Sequence, residues 1–361
     1  MNIMVFNVPA ESMGALSVLK EFYSDVLKHE DKNINWIFVL GKASLKKDSN
    51  IKVLKFPWVK KSWFHRLYFD YFVAPRLITK NEIDKVFSLQ NIIIPNTKID
   101  QILYLHQSLP FVEYKFSFRE NKRFWIYQNI IGWKIKKSIK KARNTIVQTK
   151  WMRDACIKAT GVSAENLSII SPKIYDEVSK CYEADDHTLS TFFYPASGFS
   201  YKNHIAIINS CKQLKEKGIN NYKVVFTLNR KQNKHTEMLF GEIKKHNLPI
   251  EFVGELSRKQ VFDFYTKSIL LFPSYIETYG LPLLEAKMHC SLIVASNCPF
   301  SREILENYQN SYFFDPFNCN ELAFLMESIL NEKIKHKKVE FNSVAQVNEK
   351  KLLSLLDVVI G

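Results

Sequence analysis

The sequence predicts an α/β protein of two Rossmann-like domains, each built on a parallel sheet, with a cleft between them. Three observations carry this expectation. Short β-branched and aromatic runs alternate with longer stretches of helical period along the chain, as in repeated βα units. The series of strands pauses near residue 172 and then restarts. The 361 residues exceed one ordinary α/β core and suffice for two of about 150 to 180 residues each.

In chain order, the strands expected in the first half are Ile3–Phe6, Trp36–Leu40, Val53–Phe56, Val86–Leu89, Ile102–Leu105, Thr145–Gln148 and Leu167–Ile170. Those of the second half are Thr191–Tyr194, Lys223–Leu228, Glu251–Val253, Ile269–Phe272, Leu292–Ala295 and Tyr312–Phe314. Residues 1–172 therefore form one expected domain and 188–335 the other. The stretch from Pro172 to His187 has little periodicity and an acidic cluster of Glu183, Asp185 and Asp186, which marks 173–187 as the linker. Its carboxylates follow no strand, so they read as solvated charge and not as a metal-binding pair. Over 340–361 a C-terminal helix is expected, and the amphipathic stretch Val347–Ile360 suits packing back on the first domain.

Apolar residues make up 46% and charged residues 24% of the chain, as in a folded protein without low-complexity tracts. The six cysteines show no C-x-x-C spacing, and the N-terminus opens into a strand without a signal peptide; reduced thiols and a cytoplasmic location are expected. The aromatic stretch Trp58–Ile78 is interrupted by Lys60, Lys61, His65, Arg66, Asp70 and Arg76, which argues against a transmembrane helix. Charge is uneven. Residues 1–172 hold 28 Lys and Arg against 14 Asp and Glu, whereas 173–361 hold 23 against 22. A basic excess confined to one half suggests a polyanionic partner for that half.

The most informative stretch runs from Ile269 to Ala286. A buried strand ends at Pro273, a short loop carries Glu277 and Gly280, and a helix is expected to start near Pro282. Glu285 is then expected in the first helical turn. Backbone amides and the positive helix end converge there, which suits a phosphate. Two carboxylates eight residues apart flank the spot, placed to hold different parts of one ligand. A second strand, Thr191–Tyr194, leads through Gly198 into Tyr201-Lys202-Asn203 and a helix with Ile205, Ile208, Cys211 and Leu214 on one face and Gly218 as its stop. Lys202 is expected at the start of that helix, adding a full charge where a diphosphate would lie.

The pattern P-S-x-x-E-T-x-G-L-P-x-x-E-A resembles the E-x7-E signature of retaining glycosyltransferases of family 4, which have the two-Rossmann GT-B architecture. The resemblance implies that Glu277 contacts hydroxyls of a donor sugar. It also implies that the Thr278, Tyr279, Gly280 and Leu281 backbone binds the distal phosphate and that Glu285 holds the ribose. Lys202 resembles the family lysine that neutralises the leaving nucleotide diphosphate. Ala196 stands where the family often has an arginine, which leaves Arg230 and Arg258 as candidates for the second diphosphate cation.

In the first half, Gly14 follows the Ile3–Phe6 strand and resembles the family loop that approaches the donor phosphates, with Met13 in place of a second glycine. His106 directly follows the strand Ile102–Leu105 and matches a family histidine near the reacting sugar carbon. Ser88-Leu89-Gln90-Asn91 also follows a strand and offers polar contacts to an acceptor.

The implied chemistry stabilises charge on a departing diphosphate. Helix amides and Lys202 serve that need, with no catalytic metal and no cofactor beyond the nucleotide diphosphate sugar. His106 and Glu277 are the expected catalytic residues, as orienting groups; no general base is assigned.

From Arg119 to Arg153 the chain holds eleven Lys and Arg and one acid, Glu120. Phe124, Gln128, Ile131, Ile135 and Ala142 form one helical stripe, while Lys134, Lys137, Lys140 and Lys141 lie mostly elsewhere. Together with Trp125 and Trp133 they form an expected acceptor or membrane face, which Trp58, Lys60, Lys61, Trp63, Phe64, Arg66, Tyr68 and Phe69 would extend. Nucleic acid is not the expected partner, since no binding motif for it is present. The expected partners are a nucleotide-sugar donor, a polyprenyl-diphosphate-linked saccharide acceptor and an anionic membrane surface, with the protein peripheral on the inner face of the cytoplasmic membrane. Surface polysaccharide or O-antigen synthesis would be the setting. A nucleotide-sugar isomerase of the same architecture, or a non-enzymatic basic protein binding membrane or nucleic acid, are the rival readings.

Overall fold

The computed structural model describes residues 1–10, 13–31, 33–172, 178, 180–339 and 354–361. The chain divides into two compact units, one made of Met1–Ser171 and Leu352–Gly361, the other of Pro172–Lys351.

The N-terminal unit holds a seven-stranded parallel sheet with the order β3-β2-β1-β4-β5-β6-β7. Its strands are β1 Asn2–Asn7, β2 Asn35–Leu40, β3 Ile51–Lys55, β4 Lys85–Ser88, β5 Asp100–Tyr104, β6 Asn144–Val147 and β7 Leu167–Ile169. The second unit holds a six-stranded parallel sheet in the order β10-β9-β8-β11-β12-β13. These strands are β8 Thr191–Tyr194, β9 Lys223–Phe226, β10 Ile250–Phe252, β11 Ile269–Phe272, β12 Ile293–Ser296 and β13 Ser311–Phe314. Each strand overlaps a run expected from the sequence. The central strands β1, β8, β11 and β12 are buried nearly throughout, which is why they read as continuous apolar runs and not as alternations. Strand order reverses between β1 and β4 and again between β8 and β11. At such a switch point the following loops part to opposite faces and leave a crevice at the carboxyl edge.

The helix Leu355–Ile360 buries Leu355, Leu356 and Val359 in the same apolar cluster as Phe22, Trp36 and Phe87. Lys85 Nζ donates to its Ile360 carbonyl at 2.9 Å. The rest of the expected tail, 340–353, lies outside the described residues, as do 173–177 and 179 of the expected linker. Asp185 is not simply solvated charge: it caps the short helix Asp186–Leu189, accepting from the Thr188 backbone N–H at 2.7 Å while Thr188 Oγ1 accepts from Asp185 N at 2.8 Å. This reciprocal capping box starts a helix inside the stretch expected as linker.

Two helices of the N-terminal unit pass through π-helical turns. Trp63–Tyr68 continues through Phe69–Val73 into Ala74–Lys80, and Lys122–Ile126 through Tyr127–Ile131 into Gly132–Lys141. Each turn buries one polar side chain. Asp70 pairs with Arg66 Nε at 2.7 Å, although burial still pushes its carboxyl up. Gln128 accepts from Phe116 N at 3.0 Å and donates to the carbonyls of Leu109 at 3.1 Å and Tyr114 at 2.6 Å. Of the expected stripe, Phe124, Gln128, Ile135 and Ala142 are buried and Ile131 only partly so, because the wider turn shifts the helical phase at that point.

Candidate active site

β8 and β11 are hydrogen-bonded neighbours, with Phe192 beside Ile269 and Phe193 beside Leu270, so their loops leave the sheet side by side. After β8 the chain passes Gly198, where an added Cβ would lie 2.4 Å from Cγ2 of Thr236 in the helix Lys234–Lys245; only glycine fits against that helix. A tight turn follows over Ser200–Lys202, then the helix His204–Glu216. Lys202 thus ends the turn ahead of the helix and does not open the helix itself, as the sequence suggested. The reason is Asn203, which adopts a left-handed conformation (φ 59°) at the N-cap. Its side chain donates to the carbonyls of Pro316 at 2.7 Å and Pro273 at 3.3 Å. Asparagine is among the few residues that tolerate this geometry, and here it ties the loops after β8, β11 and β13 together.

After β11 the loop ends at Gly280 (φ 92°), the N-cap of the helix Leu281–Met288, with Pro282 as the second helical residue. Glu285 is therefore the fifth residue of that helix, one turn further in than expected, because the left-handed glycine starts the helix at Leu281. Only 6% of Glu285 is exposed. Its carboxylate accepts from Tyr265 Oη at 3.0 Å and pairs with Arg258 Nη1 at 2.9 Å. Both partners come from the helix Arg258–Tyr265, capped by Ser257. Burial, and then Glu285, hold the Tyr265 hydroxyl well above its ordinary pKa, so it stays a donor.

Glu277 accepts from Lys202 Nζ at 2.5 Å and from Ser274 Oγ at 2.8 Å. The side chains of Lys202 and Glu277 are only 18% and 15% exposed. Lys202 with Ser274 and Glu277 thus forms one charged cluster beside these loops, and Arg258 with Tyr265 and Glu285 another. The loop and helix start containing Thr278, Tyr279, Gly280 and Leu281 join Glu277 to Glu285 along the chain. That helix start supplies first-turn amides and the positive end of the dipole. Of the two arginines considered, Arg258 joins the Glu285 cluster, whereas Arg230 stacks on Phe240, 4.3 Å from its ring centroid. Among the described residues, no group of three or more His, Cys, Asp or Glu side chains could hold a metal ion.

His106 and Gly14 belong to the N-terminal unit. Gly14 is the second residue of the helix Met13–Lys28, which follows β1. His106 lies just past β5, its ring 5.9 Å from that of Tyr104. Its backbone N–H donates to Asn91 Oδ1 at 2.8 Å, and its Nε2 lies 3.1 Å from Asn91 Nδ2. Burial holds the imidazole pKa down at about 4. His106 Nδ1 and both ends of the buried Gln90 amide have no hydrogen-bond partner.

On the basic face, Trp133 is 61% exposed with Lys137 Nζ 5.1 Å from its ring centroid, and Lys140 and Lys141 are exposed. Trp125 is only partly buried and packs edge-on against Phe118 at 5.4 Å. Lys134 lies 5.9 Å from the Tyr71 ring centroid and Trp63 lies 6.5 Å from that of Tyr127, so the two π-interrupted helices are neighbours. Trp63, Phe64, Tyr68 and Phe72 are exposed, Phe64 to 83%. Phe69 and Trp58 depart from the expected extension: Phe69 is fully buried against Phe6 and Phe56, and Trp58 is half-buried with its ring 6.0 Å from that of Phe69. No helix among the described residues is long and apolar enough to cross a membrane.

Sequence reasoning missed Tyr265 as the partner of Glu285 and Ser274 as that of Glu277. Ser274 stood inside the quoted motif. Nothing local marks Tyr265, which meets Glu285 only through the packing of two helices.

Residues 183–344 match the family model described as glycosyl transferases group 1. The O-antigen chain mannosyltransferase RfbU of Salmonella typhimurium is 22% identical over 242 residues, 66% of this chain and 64% of the relative. The matched stretch thus spans less than two thirds of that relative's length. Among solved structures, the lipopolysaccharide outer core galactosyltransferase WaaB in its apo form is similar with a TM-score of 0.69 and 14% identity, covering 100% of this chain and 98% of that one. HepE of Anabaena, solved in complex with UDP and glucose, gives the same score, identity and coverage. The fold is accordingly GT-B, two Rossmann-like domains with parallel sheets of seven and six strands.

Proposed function

We propose that this chain is a retaining glycosyltransferase of family 4, moving a sugar from a nucleoside diphosphate onto a lipid-linked saccharide in surface polysaccharide synthesis. The observation that carries the reading is the Lys202–Glu277 pair at the β8/β11 switch point, next in sequence to a helix start preceded by left-handed Gly280. The match of residues 183–344 to group 1 glycosyl transferases and the activities of RfbU and WaaB, a mannosyltransferase and a galactosyltransferase, support it.

In this reading Glu277 holds donor hydroxyls, Lys202 and the Thr278–Leu281 backbone take the diphosphate, and Glu285 binds the ribose. Arg258 and Tyr265 keep Glu285 oriented. Arg258 also serves as the second cation near the diphosphate, the role left open by Ala196. The bond from C1 to the phosphate oxygen breaks while the acceptor oxygen bonds to C1 on the same face. The departing phosphate oxygen takes the acceptor proton, so no protein base is required. Lys202 and the helix dipole stabilise the developing charge, and the reaction proceeds without a metal ion. His106 and Gly14 take the roles that the family resemblance implies for them. The exposed rings of Trp63, Phe64 and Trp133 with Lys137, Lys140 and Lys141 rest on the anionic inner face of the cytoplasmic membrane, with Trp125 and Lys134 behind them, presenting a polyprenyl-diphosphate acceptor.

Incubation with the donor and a short-chain polyprenyl-diphosphate saccharide should release nucleoside diphosphate and lengthen the saccharide with the donor's anomeric configuration, read by proton NMR of the product. An inverted product, or an altered nucleotide sugar formed without acceptor, would contradict the assignment.

A further inference from the structure

We infer that Asn91 fixes the proton of His106 on Nδ1, making this imidazole a neutral hydrogen-bond donor to the saccharide and not a general base. The inference rests on the glycosyl-transfer reading for its ligand and on the geometry of the N-terminal unit for everything else.

Asn91 sits in the turn after β4 with φ 63°, a left-handed conformation that asparagine tolerates. Its side-chain orientation follows from chemistry. The backbone N–H of His106, 2.8 Å away, can only donate, so the group facing it is the carbonyl Oδ1. Nδ2 then faces His106 Nε2 at 3.1 Å, and an amide nitrogen can only donate. Two N–H groups cannot bond to each other, so Nε2 is the bare nitrogen and the ring proton resides on Nδ1. The single lone pair of the neutral ring is occupied by Asn91, which leaves none to accept a proton from an acceptor hydroxyl.

Nδ1–H is sealed from water and lacks a partner within the protein. So do both ends of the Gln90 amide, next to Asn91 and 5% exposed. β4 and β5 are adjacent, with Ser88 beside Leu103, so these groups gather at one carboxyl edge of the sheet. Donors and an acceptor left unfilled together suit a ligand whose groups both donate and accept, as sugar hydroxyls do. The low pKa imposed by burial agrees with a ring that stays uncharged.

The test is the tautomer of His106 in the ligand-free chain, read from two-bond proton–nitrogen NMR correlations at about pH 8, where an imidazole is neutral. The His106 signal is identified by its loss in His106→Gln. The wild type should show a protonated Nδ1 and a bare Nε2; the opposite pattern would overturn the inference. In Asn91→Asp the carboxylate accepts where the amide donated, so the proton should move to Nε2 and kcat/KM should fall on the order of ten-fold, with nucleotide affinity unchanged. Asn91→Gly keeps the left-handed turn and should give a tautomer mixture. An unaltered tautomer in both variants would refute the role of Asn91. Failure of the wild type to bind any nucleotide sugar would instead sink the transfer reading and leave the tautomer result standing.

Discussion

His204 sits between Tyr194 and Phe226, ring centroids 4.8 and 4.9 Å away, with neither ring nitrogen bonded. Burial, with His235 and Lys202 nearby, depresses its pKa to about 3. Below about pH 6.5 the unfolded chain gains a proton that folded His204 refuses, so stability falls with falling pH by about 1.4 kcal/mol per unit until roughly pH 3. Between pH 7 and pH 5, His204→Phe should therefore lose about 2 kcal/mol less than the wild type in urea unfolding. Equal losses would show that His204 takes up its proton while folded. At this scale the sequence was informative wherever the residues of a cluster lie in one loop. Glu277 and Gly280 stand within a few residues of each other, and Lys202 was legible from its own turn. The Asn91–His106 bond and the Tyr265–Glu285 bond join separate βα units, and no local spacing encodes them. The departures at Lys202 and Glu285 have one cause: the left-handed residues Asn203 and Gly280 each set a helix start that the apolar pattern alone misplaces.

The elements were legible as strands and helices because a buried parallel strand and an amphipathic helix differ in length and period. The two π-turns were not, since an inserted residue leaves the apolar stripe nearly intact while moving its neighbours round the helix. That shift bears on the proposed membrane face. With Phe69 turned into the core, Trp63, Phe64 and Phe72 remain outside, near the lysine-rich helix Gly132–Lys141. If this face meets an anionic bilayer, each cation contributes about 1 kcal/mol. Changing Lys134, Lys137, Lys140 and Lys141 to Gln should weaken binding to phosphatidylserine vesicles, read by sedimentation, by roughly three orders of magnitude while sparing transfer to a soluble acceptor. Unchanged vesicle binding would remove the membrane from the account.

Across the whole molecule, two sheets reverse their strand order between β1 and β4 and between β8 and β11. The restart of the strand series near residue 172 made both sheets legible in the sequence. Strand order was not, because it depends on which loops cross which face. It is that order which sets the β8 and β11 loops side by side and lets Lys202 reach Glu277 across 75 residues of sequence. The account stands on this junction being a nucleoside-diphosphate site, and titration calorimetry tests it most directly. UDP-, GDP- and dTDP-sugars would each be added to the wild type, Lys202→Ala and Glu285→Ala. One nucleotide class should bind the wild type with micromolar affinity, and each substitution should weaken it about ten-fold or more. Binding by none of the three, or binding that both substitutions leave intact, would contradict the account.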